Sequence, residues 1–512
     1  MARKSIVLLK NDSQTLPLKK SIKTIAVIGP NADNPTCLLG NYNGSPSNIV
    51  TPLEGIRKKA GKSAKVIYHQ GVGLTDDTIS MAINLGNALK IDGKAGFKAE
   101  YFSNKRFEGN PVFTQYEKTI DLFGANQHKV LSNFETRMIA ARWTSILTPG
   151  TDGDIVFEMT GDDSGFRLFI DGEKVVDRFG YQEARIEYYR LAAKKGKTYR
   201  IQFEFAQETE AGGVSLATVR REKTDMKSVA AQAKQADVIV FVGGISPSLE
   251  GEDMPVEVPG FNKGDRTSIA LPAVQTAMLK ELAATGKPVV FVMLTGSALA
   301  VEWEKNNLPA IVNAWYGGQD AGTALADVLF GDYNPSGRLP VTFYASDKDL
   351  PDYEDYDMHE RTYRYFTGKP LFEFGHGLSY TRFEYSNMTA PETLKTGETA
   401  KYSITVTNKG TRDGEEVAQL YVSLPDANVP VPIRSLQGIQ RVYLKAGESK
   451  EITFSLSPVN FSAIDVLMQR CVMSGKALVS IGGGQASEVA LNEGRAQQKT
   501  TELTGSKYII DN

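Results

Sequence analysis

The residue pattern predicts a multidomain chain, α/β in one part and all-β in others, and three observations predict it. Uniformly apolar runs of strand length alternate with helical stretches before residue 92 and again after residue 223, which implies a mostly parallel sheet covered on both faces. The stretch between them, and another after residue 395, instead show short strands in which apolar and polar residues alternate. At 512 residues the chain has room for about three or four domains.

Residues 1–92 are the first part of the α/β domain. Met1–Lys10 read as a helix running into a core strand, Lys23–Ile28 (KTIAVI) is a β-branched run closed by Gly29-Pro30, and Lys65–His69 (KVIYH) is a further strand. Residues 93–222 are a β-rich insert, with Asp154–Met159 and Phe166–Ile170 alternating, a tight Asp171-Gly172 turn, and then Tyr199–Phe205. Residues 223–345 return to α/β. Met226–Gln235 is a helix candidate, Ala236–Val242 a buried strand ending at Gly243-Gly244, Pro288–Leu294 and Ala310–Ala314 repeat that strand type, and Gly322–Phe330 is helical. One α/β domain is thus split by an insert. A Pro/Asp/Tyr-rich stretch (Asp349–Asp357) lies in a connecting loop tract, 346–394. Residues 395–490 alternate again in Lys401–Thr407, Glu416–Val422, Glu451–Leu456 and Ala477–Ile481, spaced as in a small β-sandwich. Residues 491–512 are a polar tail, a strand or a frayed end.

Charge and cysteine content narrow the function classes. Lys+Arg 58 against Asp+Glu 60 leaves no basic excess, so a neutral ligand is expected rather than nucleic acid or an anionic membrane surface. No apolar run approaches the roughly 20 residues that span a bilayer. Cys37 and Cys471 stand far apart with no metal-type or redox-type spacing and read as free thiols. No metal and no cofactor are expected. No signal peptide is visible at Met1, and the start reads as cut.

Two blocks carry a specific resemblance. Trp315–Phe343 (WYGGQDAGTALADVLFGDYNPSGRLPVTF) and Arg361–Phe383 (RTYRYFTGKPLFEFGHGLSYTRF), with residues 4–18 (KSIVLLKNDSQTLPL) upstream, resemble glycoside hydrolase family 3. The resemblance covers almost the whole chain. It implies an α/β sandwich interrupted by an insert, whose Glu100-Tyr101-Phe102, Arg142-Trp143 and GDDSGFRLFIDG (Gly161–Gly172) resemble a protective-antigen-type β-domain. A fibronectin type III-like domain follows, on NKGTRDGEE (Asn408–Glu416), Gln419–Val422 and Arg441–Glu448. Members carry a (β/α)₈ barrel before this segment, with an aspartate nucleophile in a Ser/Thr-Asp-Trp-like motif. No such motif occurs here, and a barrel needs on the order of 250 residues.

The resemblance implies an exo-acting retaining β-glycosidase, a β-glucosidase or β-xylosidase. Such enzymes use two carboxyl groups about 5 Å apart, one attacking the anomeric carbon and one protonating the leaving oxygen. The family's acid/base lies on a loop after an α/β strand, here Ile245–Gly264 (ISPSLEGEDMPVEVPGFNKG), closed by Asp265-Arg266, Leu271-Pro272 and Gln275. Glu250 best matches its place, and Glu252 is the close competitor. An acid of this kind keeps its proton near neutral pH only if burial or a neighbouring carboxylate raises its pKa, and Glu250, Glu252 and Asp253 offer such crowding. Without the resemblance, four acids in so short a loop read as a solvated turn.

Other residues read more plainly. Asp265 and Arg266 suggest an ion pair pinning the loop, scaffolding before catalysis. Gly317-Gly318-Gln319-Asp320 leads into a helix and serves close packing before ligand binding. His359 and His376 read as loop-stabilising hydrogen-bonders. Asp162 and Asp163 resemble paired aspartates that bind calcium and sugar in some protective-antigen-type domains, although a turn between strands is the plainer reading. Tyr101, Phe102 and Trp143 offer rings for a sugar to stack on, with core the commoner fate of such a tryptophan.

The expectation is therefore a chain bearing the acid/base part of the site and inactive alone, acting with its nucleophile on a β-linked oligosaccharide or aryl glycoside. The parent protein is expected in the periplasm or outside the cell. Two alternatives stand beside it: a non-catalytic carbohydrate-binding or adhesion protein, and half of a split enzyme completed by a barrel domain in trans.

Overall fold

The computed structural model describes all residues except 45, 84, 124–129, 131, 133–138, 181–184, 209–211, 253, 255 and 511–512. Its central sheet has six strands, β1 (Val7–Asn11), β2 (Thr24–Ile28), β3 (Lys65–His69), β4 (Val238–Gly244), β5 (Val289–Leu294) and β6 (Ala310–Asn313), in the order β1-β6-β5-β4-β2-β3. Five run parallel, and β1 closes the edge antiparallel to β6. Every residue of β4, β5 and β6 is buried, as expected of strands covered on both faces.

The covering helices explain that burial. Helices α2 (Met226–Ala233) and α3 (Ala273–Ala283) pack Val229, Ala230, Met278, Leu279 and Leu282 onto Ile239, Phe241, Phe291 and Met293. On the other face α1 (Pro52–Ala60) and α4 (Ala321–Phe330) bury Leu53, Ile56, Leu325 and Val328 against Val240, Val242, Val290 and Val292. A capping box starts α1: the Glu54 amide donates to Thr51 Oγ1 at 3.2 Å and the Thr51 amide to Glu54 Oε2 at 3.0 Å. Helices α1 and α4 touch through glycines, since a Cβ on Gly322 would lie 2.0 Å from the Thr51 carbonyl and one on Gly55 2.1 Å from the Gly322 carbonyl.

The insert is a sandwich of an eight-stranded and a five-stranded sheet. Two strands upstream of residue 93 belong to it: Thr78–Ala82 pairs with Gly213–Lys223, and Leu89–Ile91 pairs with Ala140–Leu147. Its core holds Tyr101, Trp143, Phe157, Phe166, Phe203 and Phe205, all fully buried. Tyr101, Phe102 and Trp143 are therefore interior and offer no ring to a sugar; the Tyr101 hydroxyl and Trp143 Nε1 both donate to Glu117.

The C-terminal sandwich packs a three-stranded sheet (Phe383–Thr389, Ala400–Asn408, Ser449–Leu456) against a five-stranded one. Ala496–Thr504 lies inside the five-stranded sheet, between Gly475–Gly482 and Thr393–Lys395. The polar tail is thus a paired strand whose outward residues are polar because one face meets water. In the connecting tract His376 Nε2 meets the Leu9 carbonyl of β1 at 2.9 Å and its ring stacks on Phe372, while His359 is exposed.

Candidate active site

The site forms at the carboxyl ends of β2, β4, β5 and β6, next to the point where the connections reverse direction: β4 leads to β5 on one side and β2 to β3 on the other. Open α/β sheets present ligands there, because adjacent loops diverge and leave a crevice.

Strand β4 ends on a glycine that nothing else could replace. Gly244 sits at φ +114, and a Cβ there would be 2.0 Å from the Leu294 carbonyl of β5. Buried Gln275, at the start of α3, accepts from the Gly244 amide (2.8 Å) and donates to the Gly244 and Leu74 carbonyls (2.7 and 2.8 Å). The loop that follows is closed at its waist, where the Gly251 amide donates to the Gly264 carbonyl at 3.1 Å and Gly264 has φ +85. Leu249 anchors it in the core, and Asn41 Nδ2, from the loop after β2, donates to the Glu250 carbonyl at 2.9 Å.

Glu250 is thereby held at the carboxyl end of the sheet, half-buried. Ser297, on the loop after β5, donates its hydroxyl to Glu250 Oε2 at 3.3 Å. A Cβ on Gly296 would lie 2.9 Å from the Tyr316 ring and 3.2 Å from Glu250 Oε1, so that glycine makes room for both. Burial raises the Glu250 pKa above its ordinary value, against the opposing pull of the Arg266 charge and the Ser297 hydrogen bond. Among the described residues no carboxylate acts on it. Desolvation is the first cause of the shift; of the acids expected to crowd Glu250, Glu252 is exposed and accepts from the Tyr42 hydroxyl instead, and Asp253 lies outside the described residues.

Arg266 and Asp265 part company. The two lie on a short strand of a three-stranded ribbon, where side chains alternate, so Asp265 faces solvent and Arg266 points inward. Arg266 Nη1 donates to Ser297 Oγ and to the Ala298 carbonyl, both at 2.8 Å, and its Nε to the Ser268 carbonyl at 3.3 Å. The expected Asp265–Arg266 ion pair is not formed; Arg266 serves the Glu250 side of the loop. The Gly317-Gly318 turn is structural: the Gly318 amide donates to the Leu38 carbonyl at 2.8 Å.

Asp163 sits in the turn between strands Gly153–Asp162 and Ser164–Ile170 with φ 47, a conformation Asp tolerates better than most residues. The side chain of Asp162 lies outside the described residues. Among the described residues no group of three or more His, Cys, Asp or Glu could hold a metal ion. Reading by motif missed Ser297, Tyr316, Asn41 and Tyr42. Ser297 and Tyr316 lie just past the ends of β5 and β6, so the carboxyl-end rule applied to those strands would have pointed to them.

The fold and site define an α/β protein with two β-sandwich modules, holding one desolvated carboxyl where the sheet's connections reverse. The chain belongs to glycoside hydrolase family 3: the profile of the glycosyl hydrolase family 3 C-terminal domain matches residues 6–380, and that of the fibronectin type III-like domain matches residues 416–485. It is 41% identical over 462 residues to a xylan 1,4-beta-xylosidase of Xylanibacter ruminicola, covering 89% of this chain and 52% of that protein. It is 31% identical over 495 residues to a probable beta-glucosidase I of Aspergillus oryzae, covering 88% of this chain and 57% of that protein. Among solved structures it resembles a beta-glucosidase from Kluyveromyces marxianus in complex with glucose, with a TM-score of 0.75 and 26% identity over 99% of this chain and 62% of that one. The chain spans about half the length of the curated relatives it matches.

Proposed function

We propose that this chain supplies the acid/base carboxyl of an exo-acting retaining β-glycosidase that takes β-xylosides or β-glucosides, with Glu250 in that role. The observation that carries the reading is the desolvated Glu250 carboxyl at the carboxyl end of the sheet, hydrogen-bonded by Ser297 and with no carboxylate among the described residues acting on it. An alkoxide or sugar leaving group is poor, so a proton must reach it as the glycosidic bond breaks; a carboxyl raised by burial still holds that proton where an ordinary glutamate has lost it. Ionised by that step, the same group then takes a proton from the water that releases the sugar. The attacking carboxylate has to stand about 5 Å away, and we assign it to a barrel outside these 512 residues, within one longer protein or in trans. The chain alone is then inactive. The insert, on this reading a protective-antigen-type domain, limits substrate length at the pocket mouth.

The test is turnover of nitrophenyl β-xyloside and β-glucoside by the chain with and without a family barrel domain. The chain alone is expected to be silent and the mixture active. In the mixture Glu250→Gln is expected to lower turnover of a xylobiose-like substrate by about 10²–10⁴-fold, and Glu252→Gln to leave it near wild type. Turnover by the chain alone would refute the outside nucleophile, and loss with Glu252→Gln instead would move the acid/base role to Glu252.

A further inference from the structure

Around Glu250 two buried donors stand without partners. Arg266 Nη2 is buried and makes no hydrogen bond, although Nη1 and Nε of the same guanidinium are fully engaged. The Tyr316 hydroxyl, on the loop after β6, is likewise buried, leaning on Gly296 without a well-formed bond. A buried donor left unpaired costs about 1–3 kcal/mol, and more when it is charged. Two such groups flanking one carboxyl are therefore informative. Arg266 makes no direct ion pair with Glu250; Ser297 bridges them, accepting from Nη1 at 2.8 Å and donating to Glu250 Oε2 at 3.3 Å.

The arrangement is unsatisfied for a protonated Glu250 and better suited to an ionised one. When the Glu250 O–H bond breaks and its proton forms the O–H bond of the departing alcohol, a full negative charge remains on the carboxylate, with the guanidinium one serine away. Water later returns a proton to Glu250 and the charge is gone. We propose that Arg266 is a positioning residue that holds the Glu250 carboxyl through Ser297 and steadies the carboxylate formed during the reaction, with Tyr316 closing the opposite side. This rests on the assignment of Glu250 as the acid/base. Among the described residues, the groups that face the pair are Arg266 from the ribbon, Ser297 and Tyr316 from the loops after β5 and β6, Asn41 and Cys37 from the loop after β2, and Asp347 beyond Arg266. Burial lowers the Arg266 pKa, and the nearby Glu250, Tyr316 and Asp347 act against that.

Carbon-13 labelling of glutamate carboxyls in the full chain, with the Glu250 signal assigned by its loss in Glu250→Gln, reads the titration without any turnover. Arg266→Met and Ser297→Ala are each expected to move the Glu250 midpoint upward, since each removes something that favours the charged form, and Arg266→Lys to move it less than Arg266→Met. A midpoint unmoved in both Arg266→Met and Ser297→Ala would overturn the proposal and leave Arg266 a strut of the ribbon. Should Arg266→Met fail to fold, Ser297→Ala, which deletes a single oxygen, decides alone. The two readings fail separately. Undiminished turnover of an alkyl glycoside by Glu250→Gln would sink the acid/base assignment whatever the titration shows; an inactive Glu250→Gln with no shift in the other variants would sink only the positioning role.

Discussion

His376 makes the stability of this chain sensitive to mild acid. Its ring is packed on Phe372 and its Nε2 meets the Leu9 carbonyl, so the imidazole tying the connecting tract to β1 is held neutral. Burial, aided by the charges of Arg338, Lys305 and Arg495 and opposed by the Leu9 bond, lowers its pKa from 6.5 to about 4. The unfolded chain therefore binds a proton that the folded chain refuses between those values. Stability from this group is fully present above pH 6.5 and is lost as pH falls toward 4. Between pH 7 and pH 5 the loss comes to about 2 kcal/mol, an upper value because the residue as a whole is only partly buried. His376→Gln keeps a donor for Leu9 but cannot take up the proton. Urea unfolding followed by tryptophan fluorescence, at pH 7 and pH 5 for both proteins, should show the wild type losing more than the variant by up to that amount. Equal losses would refute the reasoning, because the acid sensitivity would then belong to other groups.

Two further outcomes follow from the α/β core. Gly322→Ala forces a Cβ against the backbone carbonyls of Thr51 (2.0 Å) and Val50 (2.5 Å), which no side-chain rotation can relieve, so a loss of about 1–3 kcal/mol and a melting point several degrees lower are expected; an unchanged melting point would show that α1 and α4 can separate freely. Glu304, buried against Thr276, has its pKa raised by burial, so its neutral form suits the fold and stability falls as pH rises through that pKa. Glu304→Gln should raise the melting point at pH 7 more than at pH 4, and an equal change at both would refute it.

The uniformly apolar runs that became β2, β4, β5 and β6 were legible because a strand buried on both faces has no other composition. The antiparallel edge strand Val7–Asn11 was legible as a strand but not in its direction, which depends on the partner it meets 300 residues later. Thr78–Ala82 escaped because five residues of mixed character carry little periodicity and their pairing with Gly213–Lys223 is long-range. Tyr101 and Trp143 read as either surface or core in a single strand; only the facing sheet, with Phe157 and Met159, decides. Within the site, Glu250 stood out through its motif. Its desolvation did not, because Ser297, Arg266 and Tyr316 arrive from three separate segments, and Glu252 nearby in sequence meets Tyr42 instead.

The insert leaves and rejoins the α/β domain through one narrow stalk. Thr78 faces Lys223 across antiparallel strands, and the Thr224 amide donates to the Asp77 carbonyl at 2.8 Å. Paired positions of this kind lie about 5 Å apart, a distance that a two-residue turn bridges. The whole module between them can therefore be excised, exchanged or acquired as a cassette while β3 and α2 keep their places in the surrounding architecture. Descent and protein engineering alike have a ready seam here, one that leaves the domain holding Glu250 undisturbed.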